Sequence, residues 1–309
     1  LSPAINLLKN PAWRIVSAPH HNHQDTPEFE VATQLFFDEH LKGAFKFPVT
    51  PALGVQWKTS DGIPLATARP DPSRDPISVD FYYTQNALPQ ADLGKDGLPR
   101  PAHFWRHAVA KKSGEVWTAK LPMSGDDRPV WVFVNVTYPL AVPVSGAGYY
   151  YGDYTTDRFT ISSRLVTAEA TDLKAAGVKA SFPPTTLIES FEGELNQDWF
   201  TYKPNHWGRS THRVNDPQWK APAGARLGLG VLTADPLNLE IVFGDKKATK
   251  AIPAGADWQE LVLSPSDFKN TKGDALADFT TVEILTIGEA PGKASPSAPK
   301  FRNLRWIVP

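Results

Sequence analysis

The sequence has no cysteine in 309 residues, which excludes disulfides, thiolate metal centres and a cysteine nucleophile. It has no run of 18 apolar residues, so no segment reads as a membrane-spanning helix, and no stretch reads as a signal peptide. An excess of one charge is missing too: the formal net charge is −1, from 32 basic and 33 acidic residues. Neither nucleic acid nor a membrane is therefore an expected partner. The chain opens on Leu1 instead of Met, and a further segment is expected ahead of it in the longer protein.

What the chain has in quantity is proline and tryptophan, 29 and 10 residues. That composition suits rigid β domains with many turns and stacking aromatics, as found in secreted bacterial carbohydrate-active proteins. A secreted or periplasmic location is expected on that ground. The length suits two or three domains, since single cores stop growing near about 250–300 residues. A sequon, Asn135-Val136-Thr137, lies inside an apparent strand and matters only in a eukaryotic secretory pathway.

The densest chemistry is Pro19-His20-His21-Asn22-His23-Gln24-Asp25, which gathers three of the eight histidines. Trp13-Arg14-Ile15-Val16 before it reads as a short buried strand. A helix is expected directly after it. Asp25 or Thr26 can cap it, Pro27 fits the first turn, Glu28 and Glu30 sit at the positive dipole end, and Gly43 stops it. Phe29, Ala32, Leu35 and Phe36 form the expected buried stripe, widened by Phe37 and Leu41. His40 falls on the polar side.

The remainder reads as mainly β. Alternating segments at Ala52–Lys58, Ile77–Tyr83, Phe104–Val109, Glu115–Leu121 and Val130–Tyr138 suggest an immunoglobulin- or fibronectin-like sandwich over 46–162. Within it, 59–76 reads as a proline-rich connector and 146–154 as a surface loop rich in Gly and Tyr. Residues 163–186 read as a linker with a short helical turn at Asp172–Ala176. Six strands between Ile188 and Ile307 suggest a jelly roll over 187–309. Trp258 and Trp306 are expected in its core. Trp199, Tyr202, His206, Trp207 and Trp219 cluster in a segment too polar for a core strand and are the expected substrate-binding residues, although large aromatics also build small β cores. Glu189 and Glu192 could supply oxygens to a structural calcium, with surface carboxylates the plainer account.

Two resemblances follow from particular residues. Glu189-Ser190-Phe191-Glu192-Gly193, Asp257-Trp258-Gln259-Glu260-Leu261-Val262-Leu263-Ser264-Pro265-Ser266-Asp267-Phe268 and Phe301-Arg302-Asn303-Leu304-Arg305-Trp306 resemble galactose-binding-like carbohydrate-binding modules. The ending Gln34 to Gly43, with Phe36-Phe37-Asp38-Glu39-His40-Leu41-Lys42-Gly43, resembles the C-terminus of α/β-hydrolases of the dienelactone hydrolase and acetylxylan-esterase-like kind. That resemblance makes residues 1–45 a strand, His loop and helix remnant, and makes His21, with His23 as runner-up, the catalytic base. It implies an acetyl esterase acting on a polysaccharide or other ester, or an amidase or peptidase by the same mechanism. No cofactor and no resident metal enter this expectation. A serine triad also needs a nucleophile, usually on Gly-x-Ser-x-Gly, and the chain has no such motif. The Ser and acid are then expected on an upstream hydrolase segment or a second chain.

Other readings of the loop stay open. His21-x-His23-x-Asp25 has metal-ligand spacing, with His103 or His107 as possible further ligands. The histidines can also be plain loop residues, or the whole chain a non-catalytic carbohydrate-binding accessory protein.

Overall fold

The computed structural model describes residues 13–21, 26–85, 104–148, 152–193, 195–203, 206–291 and 297–308, without the side chains of 27, 28 and 196. The chain is mainly β, with all named strand pairs antiparallel. It divides into two compact units that meet in sequence at Phe182 and Pro183, with Phe104 counted in the second.

The first unit contains β1 (Ala52–Gln56), β2 (Leu65–Arg69), β3 (Ser78–Thr84), β4 (Arg106–Ala108), β5 (Lys111–Ser113), β6 (Val116–Lys120), β7 (Val130–Gly148), β8 (Gly152–Ser162) and β9 (Val166–Ala168). They form two sheets, ordered β1-β2-β6-β5 and β4-β3-β7-β8, with β9 added beside β7. One core joins both sheets: Ala66 and Ala68 of β2 and Ala119 of β6 meet Val79 and Phe81 of β3 and Val132, Val134 and Val136 of β7. Facing alanines let the sheets approach closely around the larger valines and aromatics.

Helix α1 (Pro27–Phe37) belongs to this same unit. Thr26 caps it, its hydroxyl accepting from the Phe29 amide. Val31 and Leu35 enter the sandwich core, and the helix packs on β7 and β8. The expected stripe is thus corrected: Phe29 is 55% exposed, Phe37 52% and Leu41 77%. The chain then widens into a π turn, Asp38–Lys42, which Gly43 ends at φ 64. The expected strand at Trp13–Val16 is absent, because that segment makes isolated bonds to β8 instead of a ladder.

The stretch expected as a linker also carries structure. It holds β9 and helix α2 (Ala170–Ala176), closed by Gly177 at φ 73. Leu173 is fully buried in the first core, a burial worth about 1.5–3 kcal/mol.

The second unit has β10 (Leu187–Glu189), β11 (Arg209–Thr211), β12 (Arg226–Leu232), β13 (Leu237–Phe243), β14 (Lys246–Ile252), β15 (Gln259–Leu263), β16 (Leu285–Glu289) and β17 (Lys300–Ile307). Their two four-stranded sheets run β10-β17-β12-β15 and β11-β16-β13-β14. Leu227, Leu229 and Val231 of one sheet face Leu239, Ile241 and Phe243 of the other across a second core. Phe268, Phe279 and Trp306 complete it.

Candidate functional site

The histidine loop is approached by a segment fastened to the outer side of β7 and β8. Val134 and Val136 point into the core, so Asn135 between them faces away from it. Its amide nitrogen donates to the Ser17 carbonyl at 3.0 Å, and its amide oxygen accepts from the Ser162 hydroxyl at 2.5 Å. The Ser17 amide donates back to that hydroxyl at 2.8 Å, and the Ser162 amide donates to the Ile15 carbonyl at 2.8 Å. Three side-chain and backbone groups thereby fix the chain just ahead of Pro19. The same bonds occupy the Asn135 amide, which is 7% exposed, so the sequon is closed to modification in the folded protein.

Beyond that anchor, His20 is buried and holds φ 69. A non-glycine residue in the left-handed region costs on the order of 1–3 kcal/mol and concentrates at functional sites. His21 is half-buried, with Nδ1 3.1 Å from the Pro19 carbonyl oxygen. A carbonyl only accepts, so Nδ1 carries the proton in this contact, and the lone pair of the neutral ring lies on Nε2. His23 and Asp25 lie outside the described residues, as does His103. His107 stands on β4, its Nε2 3.0 Å from Asp80 Oδ1 on β3, so the carboxylate it faces is Asp80. Among the described residues no cluster of three metal-ligating side chains forms.

Helix α1 follows the loop and is apolar on two sides. Val31 and Leu35 are buried, whereas Phe29, Phe36 and Phe37 of the helix and Leu41 of the π turn are each between 37% and 77% exposed. His40 is exposed as expected and packs edge-on to Phe36 at 4.2 Å. The apolar spacing was visible in the sequence; that it comprised two stripes, only one of them covered, was not.

The five expected binding residues separate into two groups in the second unit. Trp199 is only 3% exposed, and its indole nitrogen donates to Glu189 Oε2 at 3.0 Å. A ring so enclosed offers no face to a ligand, and its role is corrected to the core. Glu189 is likewise buried and not a surface carboxylate: Arg213 Nη1 donates to it at 2.7 Å, while Nη2 pairs with Asp198. The Arg213 guanidinium also lies 4.9 Å from the Trp219 ring, and the Trp219 carbonyl accepts from the Trp306 indole at 2.7 Å. Trp199 and Trp219 therefore frame a buried ion cluster.

His206 and Trp207 form the other group, stacked at 5.7 Å with planes 22° apart. His206 Nδ1 accepts from the Gly208 amide at 3.1 Å, which fixes the ring. Trp207 rests on Phe301 at 5.7 Å, and both His206 and Trp207 are half-buried. Tyr202 is half-buried as well, edge-on to Phe200 at 6.0 Å. Trp306 is in the core as expected, but Trp258 is not: it is half-buried beneath the Arg302 guanidinium, 4.5 Å from its ring centre. Strand parity carried the signal, because inward Leu261 and Leu263 put Trp258, Glu260 and Val262 on the outer face.

No protein-family description, no curated protein and no solved structure matches this chain.

Proposed function

We propose that the chain is the C-terminal part of a secreted serine hydrolase, acting as a carbohydrate acetyl esterase, in which it supplies the catalytic base and accessory glycan-binding β domains. The observation that carries this reading is the two-sided helix beside His21. Four large exposed apolar side chains, Phe29, Phe36 and Phe37 on the helix and Leu41 on the π turn after it, form a surface that a second folded body covers in the working protein. In this reading the body is the hydrolase domain bearing the nucleophile, on the same polypeptide or on a partner chain.

The chemistry follows from the ring orientation. His21, held through Nδ1 by the Pro19 carbonyl, turns Nε2 to the serine hydroxyl, takes its proton during attack on the ester carbonyl, and returns it to the departing sugar oxygen. The acid that steadies the imidazolium comes from the covering body and takes over the Nδ1–H bond from the Pro19 carbonyl. Finer fold assignments support the same reading. The orders β1-β2-β6-β5 and β4-β3-β7-β8 are those of an Ig-like sandwich with strands A, B, E, D opposite C′, C, F, G. The interleaving of β10-β17-β12-β15 with β11-β16-β13-β14 is that of a jelly roll. In that module the His206–Trp207 stack and Tyr202 are the glycan-contacting groups.

The test has two arms. The 309-residue chain alone is expected to leave a chromogenic acetyl ester intact, and the polypeptide translated from its native start is expected to hydrolyse it. His21→Ala or His23→Ala in the latter should then cost several orders of magnitude in kcat. Hydrolysis by the short chain, or full activity in both variants, would refute the assignment. A second reading, a non-catalytic glycan-binding protein, is favoured by the His206–Trp207 stack alone, and it requires glycan retention with no hydrolysis by either polypeptide.

A further inference from the structure

The outer face of the sheet β10-β17-β12-β15 carries a set of features that sheet stability alone does not call for. Strand β12 is paired on both sides, by β17 and β15, and Leu227, Leu229 and Val231 point into the core. Its outward positions are Gly228 and Gly230. Glycine in a central strand weakens it, and it marks places where something approaches the backbone closely. Here that something is a layer of side chains. A Cβ on Gly230 would lie 2.6 Å from Arg302 Cγ and 3.0 Å from Glu260 Oε1, and one on Gly228 would lie 2.9 Å from Ile307 Cδ1. The bare backbone lets the stem of Arg302 lie flat across the sheet.

A bulge in β17 completes the arrangement. Arg302 and Arg305 are three residues apart, so in a regular strand they would face opposite sides. The register shifts between them, opposite Gly228 and Gly230, and Asn303 in that interval holds φ 50. Both arginines thus reach the same outer face, the kind of re-aiming that bulges perform. Arg302 donates through Nη2 and Nε to Glu260 Oε1, at 2.8 and 3.2 Å, with its guanidinium over Trp258. Arg305 Nη1 donates to the Asn303 carbonyl at 3.0 Å and lies 3.9 Å from Glu260 Oε2. Arg226 and Lys300 occupy outward positions at the ends of the same strands and are exposed, and Leu187 and Val262 are exposed on the row that contains Arg305 and Gly228.

We propose that this face binds an acidic polysaccharide, one whose sugar rings carry carboxylate or sulfate groups. Arg302 and Arg305 flank the Glu260 carboxylate, Arg226 and Lys300 are exposed farther along the same strands, and guanidiniums supply the planar recognition that a carboxylate or sulfate takes. Glu260 in their midst is an acceptor, which a sugar hydroxyl satisfies. Val262 and Leu187, both exposed, offer carbon surface to the C–H faces of pyranose rings. A ligand with anions, hydroxyl donors and apolar ring faces together is an acidic glycan. This inference rests on the glycan-binding half of the proposed function, not on its esterase half.

Affinity electrophoresis of the 309-residue chain tests it, through gels containing polygalacturonate, a sulfated galactan, neutral xylan or duplex DNA. Retention is expected in one or both acidic glycans, falling as salt rises. The Arg302→Ala/Arg305→Ala double variant should lose about tenfold or more in affinity. Arg302→Lys, which keeps charge and fold but lacks the planar fork, should lose part of it. The variants' thermal unfolding is followed in parallel, so that a loss of retention counts only in folded protein. Absence of retention in both acidic glycans overturns the proposal, as do equal retention in xylan or in DNA and retention unchanged by folded arginine variants. Binding to neutral xylan that depends on Trp207 and not on Arg302 would overturn this site while leaving the glycan reading of the module intact.

Discussion

The two sandwiches have comparable cores but opposite habits at their margins. The first leaves apolar surface bare: Phe29, Phe36 and Phe37 on α1 and Leu41 on the π turn after it, with Val49, Ile77, Val109 and Val142 elsewhere. The second exposes only Leu187, Val262 and Val308 among its described large aliphatic and aromatic residues, yet it buries charge in the Glu189–Arg213–Asp198 cluster. A protein that leaves phenylalanines in water gains nothing by it in isolation, whereas in the second unit the charges that leave water pair with one another. The first unit therefore carries the apolar surface on which the proposed function rests, and the second carries a charge cluster drawn inward.

The largest effect expected from breaking this contrast lies in the second unit. Arg213→Ala removes the one cation between two carboxylates whose side chains are 10% and 21% exposed. Glu189 then keeps only the Trp199 indole and the Phe191 amide as donors and Asp198 loses its cation, a loss of about 3–5 kcal/mol. Chemical denaturation should show the second unit unfolding first in this variant. A loss below about 1 kcal/mol would mean that solvent already screens the cluster, and the contrast with the first unit would disappear.

An intermediate effect is expected in the first unit, where the one described buried charge pairing is titratable. Burial raises the pKa of Asp80, but hydrogen bonds from His107 and Ser78 and the charge of His107 outweigh it and hold the carboxyl below 3.8. Because the folded value lies below the unfolded one, the ionised Asp80 carboxylate stabilises the fold above the unfolded pKa, near 4, and this is lost as pH falls through the folded value. Asp80→Asn should cost about 1 kcal/mol at neutral pH, and its unfolding temperature should converge on that of the unaltered protein in acid. Parallel curves down to pH 2 would show that the pairing carries no linkage.

Much of this architecture was legible in the residues, and the gaps have physical causes. Strands β3, β6, β12, β13 and β17 alternate plainly, so their faces could be read. Strand β2 was hidden in a connector because its inward residues are Ala66 and Ala68, fully buried yet too small to look like core. Strand β14 was hidden by lysines at 246, 247 and 250, with only Ala248 and Ile252 buried. Strand β8 escaped because its first half, from Gly152 to Asp157, pairs with the far end of β7 and has no buried residue. At the candidate site, periodicity located α1 and the loop before it but could not say which apolar stripe this chain covers. Trp199 and Trp258 exchanged roles for a related reason: a polar neighbourhood made a core ring look exposed, and an alternating one made an exposed ring look buried.

The smallest effect on the chain itself gives the sharpest reading of the contrast. Phe37 is 52% exposed and lies opposite Val31 and Leu35 on α1, so Phe37→Ser removes little packing within this chain. Its stability should stay within about 0.5 kcal/mol of the parent, as for most surface changes, and its tendency to self-associate should fall as the apolar patch shrinks. Under the proposed function the same change should be costly in the longer polypeptide, where Phe37 would touch the covering body. Unfolding should then occur at lower denaturant and esterase activity should drop, although no group with acid, base or nucleophilic chemistry has been altered. If the short chain is destabilised as much as the long one, Phe37 packs inside the first unit and the unit needs no partner. If neither is affected, nothing covers the helix, and the observation that carries the hydrolase reading loses its force.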